Sequence, residues 1–186
     1  MTIELKMPVP ELLPHYVDAL RRDWSPDNVR GRVAAEEQLA AIETDSDGFI
    51  ARQTDPEAKG PLVTMPDGSK MPRIPGRVFW IWDGAFCGVL GLRWQNGTVD
   101  LPLHVLGHVG YSVVPWKRRQ GCATAALRLV LPYAREQGLA YVEITTDTDN
   151  LPSHKVITGS GGVLIEPFTK PEAYGSAPGL RFRIAL

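Results

Sequence analysis

Six consecutive residues, Arg118-Arg119-Gln120-Gly121-Cys122-Ala123, place two guanidinium groups and a glycine where an extended run gives way to a helical pattern. The start of a helix leaves N–H groups unpaired and carries partial positive charge, so this stretch, with Thr124, suits a phosphate. Gly121 lets the main chain come close to such a group, and the small Ala123 leaves the first turn uncovered. A basic surface turn with a helix cap is the alternative. His108 opens the preceding extended run, and an imidazole with an ordinary pKa near neutrality can accept a proton from an amine. A histidine that merely bonds main chain at a strand end would look the same. His104 and His108 are spaced i, i+4, but metal ligands so spaced need one helix face, and Pro102 with Gly107 argues against a helix; no metal is expected. Cys122 sits where thiol pKa falls, yet the motif places no activating His or carboxylate beside it, so it reads as a small residue facing a ligand. Asn150 and Ser153 open a later helical stretch, as ligand contacts or as a plain cap. Trp80, Trp82 and Trp94 either line a cleft or fill the core.

The elements that must hold these groups follow from periodicity. Leu12, Leu13, Tyr16, Val17 and Leu20 form the stripe of an amphipathic helix. Ser25-Pro26 resembles a second helix start, with helical pattern over 33–42. Five prolines and three glycines between Asp55 and Gly76 predict a long loop, either a cover for a site or an insertion. The runs 77–82 and 86–92 flank Asp83-Gly84, a hairpin signal. Asn96-Gly97 marks another turn, and 108–114 reads as a strand ended by Pro115. The helix from Ala123 keeps a period near 3.6 to Gly138, and Pro132 should bend or shorten it. Tyr141–Thr145 is a further strand, a short helix follows Asn150, and 162–165 and 180–186 close the sheet.

The 186 residues suit a single unit with 1–54 as N-terminal helices, 55–76 as loop and 77–186 as core. A net charge of -1 gives no field favouring nucleic acid or an anionic membrane. Apolar runs fall short of the roughly 18 residues of a membrane span, and no signal-peptide pattern opens the chain, so a cytoplasmic protein is expected. Two cysteines supply neither a disulfide framework nor a metal set.

Arg118, Gly121 and Ala123 match the pattern Gln or Arg, two residues, Gly, one residue, Gly or Ala, and over about residues 77 to 168 the chain resembles the GNAT acetyltransferases. The resemblance implies an α/β fold: a mixed, mostly antiparallel central sheet flanked by helices, with acetyl-CoA lodged where two strands splay apart. It implies that Ser112 and Val113 meet the pantetheine arm, that Arg118, Arg119, Gln120, Gly121, Cys122, Ala123 and Thr124 surround the pyrophosphate, and that Asn150 and Ser153 belong to a second cofactor segment. Many members carry a Tyr in that last helix to reprotonate the departing thiolate; Ile157 stands there and cannot donate. Many carry a Glu near the strand start as base; His108 stands about there. The activity implied is direct transfer of acetyl from acetyl-CoA to a primary amine of a small molecule or peptide. An inactive acyl-CoA-binding module and, from His104 and His108 alone, a metal-dependent hydrolase are the alternatives. A homodimer is compatible with the sequence.

Overall fold

The structure, a computed structural model, describes residues 2–186. Its centre is the expected hairpin, β5 (Gly76–Trp82) paired antiparallel with β6 (Phe86–Arg93). The N-terminal strand β1 (Glu4–Lys6) and the short β2 (Thr54–Asp55) both add to β5, and β7 (Val109–Val113) adds to β6, giving the order β1-β5-β6-β7. A three-stranded antiparallel sheet holds β10 (Pro178–Ala185) between β8 (Tyr141–Asp147) and β9 (Val163–Thr169). Strand β1 went unread in the sequence because three residues carry too little alternation to register.

Alternation along β5 and β6 sorts side chains into two cores, as a sheet covered on both faces requires. Phe79, Ile81, Leu90 and Leu92 face helix α4 (Cys122–Glu136), whose Ala126, Leu127, Val130 and Ala134 are fully buried against them. Trp80, Trp82 and Val89 face helix α1 (Leu13–Arg21) and Phe49 of α3 (Ser46–Ala51), with Tyr16 stacked on Trp80 at 5.1 Å between ring centroids. Each large apolar side chain so buried contributes about 1.5–3 kcal/mol. Trp80, Trp82 and Trp94 are therefore core, and none lines a cleft.

Helix α2 (Gly31–Thr44) starts later than Ser25-Pro26 suggested. Ser25 Oγ instead accepts from the Asp27 N–H, and Asp27 Oδ1 accepts from Val29 and Arg30, which makes 25–30 a hydrogen-bonded loop. The 55–76 stretch is largely irregular, broken by a small hairpin of β3 (Val63–Thr64) and β4 (Lys70–Met71). Pro132 does not shorten α4, which runs fifteen residues through it. Helix α5 (Leu151–Thr158) follows β8 and is roofed to α4 by Arg128, which donates to the Gly159 carbonyl at 2.5 Å.

Candidate active site

Strands β7 and β8 touch at one end and then part. The His108 N–H donates to the Glu143 carbonyl at 2.8 Å, and the Glu143 N–H donates to His108 Nδ1 at 2.9 Å. Gly107 makes this approach feasible, since a Cβ there would lie 2.9 Å from the Glu143 carbonyl oxygen. Beyond that vertex β8 pairs with β10 on its other side and β7 with β6, so the facing edges form a V. Further along β7, Tyr111 comes up to Ser153 just past the end of β8, so both strands leave the vertex in the same sense, the mixed element of the sheet.

Which groups of β7 face the V follows from its bonds to β6. Arg93 donates to the His108 carbonyl and Val114 donates to the Cys87 carbonyl, so even-numbered residues turn their main-chain groups to β6. Val109, Tyr111 and Val113 turn theirs to the open edge. The Tyr111 carbonyl accepts from Asn28 Nδ2 at 3.0 Å and the Val113 carbonyl from Arg118 Nε at 3.1 Å. Val113 thus turns its main chain to the open edge, whereas Ser112 turns away from it. Its main chain faces β6, and its hydroxyl accepts from Trp24 Nε1 at 3.0 Å and donates to the Ser25 carbonyl at 2.8 Å, tying the 25–30 loop to the sheet.

Past Val113 the chain makes a single 3-10 turn, Pro115–Lys117, then enters α4 through Arg119 and Gly121, with φ of 61° and 81°. Two left-handed residues in three curl the N–H groups towards one side, the arrangement that forms an anion-binding concavity. No side chain caps α4, and its first helical bond runs from Ala125 to the Gly121 carbonyl, so the N–H groups of Cys122, Ala123 and Thr124 remain open. Arg118, Arg119, Gln120 and Gly121 are exposed around them, with Gln120 Nε2 bonded to the Trp116 carbonyl at 3.2 Å. Lys117 is braced from behind by Asp83 at 2.7 Å, and that hydrogen bond holds the Asp83 carboxyl below its ordinary pKa.

Cys122 does not face this concavity. Its side chain is buried in the α4 core beside Cys87, and burial raises the pKa of both thiols, that of Cys87 to about 12. Desolvation here outweighs the helix terminus, which corrects the ligand-facing reading; only the Cys122 main chain fronts the turn.

On the far wall, Asn150 caps α5, its Oδ1 accepting from the Ser153 N–H at 3.2 Å. Ile157, one turn further, is fully buried. Across the V from this helix, the Tyr111 hydroxyl is buried beside Ser153 with no hydrogen bond of good geometry. Burial raises its pKa and Ser153 pulls the other way, so it stays protonated at neutral pH.

His108 is only 1% exposed and both its nitrogens are engaged. Because Nδ1 accepts from Glu143, the ring proton sits on Nε2 and is donated to the Val99 carbonyl at 3.1 Å. Burial lowers its pKa and keeps it neutral. This geometry corrects the expectation of a general base: the imidazole splices two strands. The Glu143 side chain lies against Arg181 at 2.8 Å and Arg183 at 2.7 Å; burial would raise its pKa, but these hydrogen bonds prevail and hold it low. His104 bonds the Pro72 carbonyl, and among the described residues no group of three or more potential ligands could hold a metal.

One residue lining the V escaped the sequence reading, Tyr111. Tyr111 lies inside a strand whose open edge only the pairing partner reveals.

A sheet that opens into a V before an uncapped, glycine-led helix is the architecture of an acyltransferase. The chain belongs to the acetyltransferase (GNAT) domain family, which matches residues 70–163, just over half of its length. Solved structures agree in fold. The ribosomal-protein alpha-N-acetyltransferase RimL, in complex with coenzyme A, is similar with a TM-score of 0.63 at 15% identity, over 100% of this chain and 95% of that one. The microcin C7 self-immunity acetyltransferase MccE, in complex with acetyl-CoA and AMP, gives 0.60 at 14% identity, over 99% and 92%. A spermidine N-acetyltransferase, SpeG from Vibrio cholerae, gives 0.55 at 12%, over 100% and 96%. No curated protein sequence matches the chain. No helix among the described residues is long and apolar enough to cross a membrane.

Proposed function

We propose that the protein moves the acetyl group of acetyl-CoA directly to a primary amine of a small molecule or peptide, with the whole chain acting as one catalytic unit. The observation that carries this reading is the open edge of β7 running straight into the uncapped N-terminus of α4. The pyrophosphate rests on the N–H groups of 119–124, with Arg118 and Arg119 neutralising its charge. Pantetheine lies along the open edge of Tyr111 and Val113, whose main-chain N–H groups face it while their carbonyls are held by Asn28 and Arg118, with Asn150 and Ser153 on the opposite wall. An open-edge N–H polarises the thioester carbonyl, and the amine attacks it. The tetrahedral adduct collapses, the C–S bond breaks, and Tyr111 gives its proton to the departing sulfur. The amine's surplus proton leaves through water and restores the phenol. The relatives named for protein alpha-amines and for spermidine both acylate amines, which is consistent with this acceptor class.

The test is release of free thiol from acetyl-CoA in the presence of a panel of amines, with acylated product identified by mass spectrometry. Amine-dependent release supports the proposal. Tight acetyl-CoA binding with no amine accelerating release would replace it with a binding or sensing module.

A further inference from the structure

Arg93 ends β6 with no ion pair and no side-chain hydrogen bond among the described residues, and its Nε is buried without a partner. Its Nε is desolvated without compensation, while the terminal nitrogens of the half-buried fork stay open to a partner. Burial accordingly lowers its pKa. Unlike Arg183, whose fork is met by Glu143, Arg93 has all its donors to spare for a partner outside the chain.

The surroundings indicate what that is. By alternation from Val89, both Gly91 and Arg93 point to the face covered by the N-terminal helices, away from α4. Gly91 sits directly opposite Gly110 of β7, so the sheet has a patch there with no side chains. The Arg93 fork lies over that patch: a Cβ on Gly110 would come within 3.0 Å of one of its terminal nitrogens. Tyr174, whose hydroxyl donates to the His104 carbonyl at 3.0 Å, and Asp27 of the 25–30 loop are close enough to act on it electrostatically. Asp27 does not compensate it, since no ion pair forms and Asp27 Oδ1 already serves Val29 and Arg30. The Tyr111 carbonyl and Asn28 lie one residue along from Gly110 and Asp27, so this patch borders the V.

We infer that Arg93 receives an anionic oxygen group, a carboxylate or a phosphate, on the acceptor molecule, so that the acceptor is an amine that also carries negative charge. This rests on the acetyl-transfer reading and narrows it. A planar fork of donors matches either anion in a bidentate way, and the missing side chain at Gly110 is what lets that fork lie flat against the sheet beside the V.

Thiol release is measured with matched acceptors sharing one amine: amino acids against their amides, and phosphoethanolamine against ethanolamine. The wild type should prefer an anionic member by at least about tenfold in kcat/KM; which pair shows it distinguishes carboxylate from phosphate. Arg93→Met should remove the preference and leave acetyl-CoA affinity unchanged, and Arg93→Lys should restore part of it. Because Met keeps an apolar stem and removes a guanidinium that has no ion pair among the described residues, the melting temperature of Arg93→Met should not fall. An equal response to both members, or a preference that survives in Arg93→Met, would overturn the inference. Should no amine be acylated, the transfer reading fails separately, and calorimetric binding of N-acetyl amino acids and inorganic phosphate decides this one: binding lost in Arg93→Met upholds it, and no binding to the wild type refutes it. A large fall in melting temperature would make Arg93 structural and refute it as well.

Discussion

Glu143 meets His108 twice, accepting its main-chain N–H at 2.8 Å and donating its own to the imidazole Nδ1 at 2.9 Å. A side chain thus stands in for the carbonyl that would continue the ladder. Beyond that substitution β7 and β8 have no further shared ladder, and the V begins.

His108→Ala should orphan the Glu143 N–H and the Val99 carbonyl. Leaving buried partners unpaired costs about 1–3 kcal/mol each, so chemical denaturation should show a loss of at least that order. Kinetically, KM for acetyl-CoA should rise more than kcat falls, the reverse of what removal of a general base would give. A hundredfold fall in kcat with unchanged KM would return the base role to His108.

Acid should probe the same residue in the wild type. Its folded pKa is depressed by burial, so the unfolded chain binds a proton before the folded one does. Stability from this group is fully present above about pH 6.5, the ordinary histidine value, and is lost as pH falls from there through the folded pKa. Asp83 and Glu143, also depressed, contribute losses only below the ordinary carboxylate range, so the upper part of the acid limb belongs to His108. Melting temperatures between pH 7.5 and 5 should decline in the wild type and stay flatter in His108→Ala.

Gly121→Asp should set a negative charge and a side chain at a left-handed position in front of the open N–H groups. Acetyl-CoA affinity by calorimetry should fall at least about tenfold, roughly 1.4 kcal/mol, with far-ultraviolet circular dichroism unchanged. Unaltered affinity in a folded variant would remove this turn from the cofactor site.

Tyr111→Phe deletes a buried hydroxyl that has no partner, so the melting temperature should hold or rise. If that hydroxyl reprotonates the thiolate, kcat should drop by about 10²-fold while acetyl-CoA affinity stays put. Retention of full kcat would leave protonation to solvent.

Cys122→Ala should keep activity, because the thiol faces the core and has no part in the direct transfer proposed. Raised pKa values also predict that neither Cys87 nor Cys122 reacts with iodoacetamide in the native protein on a timescale of minutes. An acetylated Cys122 in a quenched reaction would replace direct transfer with a two-step route.

Much of this was legible in the sequence, for reasons particular elements make plain. The hairpin around Asp83-Gly84 and the helix after Gly121 are strongly periodic and locally encoded, and both form where the pattern places them. What periodicity does not hold is the partner across a gap. Which edge of 109–113 lies open depends on β6, so Ser112 was read towards the cofactor although its hydroxyl serves Trp24. His108 looked like a base because its two bonds come from residues 9 and 35 positions away. Cys122 reads from sequence as a small residue facing a ligand at a helix terminus that lowers thiol pKa, and burial, a tertiary property, turns the side chain inward and reverses that direction.

The vertex at Gly107 and His108 also has a mechanical meaning. Two stiff half-sheets joined at one end behave as a pair of lever arms, and β8 extends four residues past Glu143, about 13 Å at the rise of a strand. A displacement of a few tenths of an ångström at the fulcrum is magnified towards the mouth, where Asp147 and Asn150 stand. The width of the cleft is thus gauged at its narrow end, by one imidazole and one missing Cβ, far from where a ligand enters.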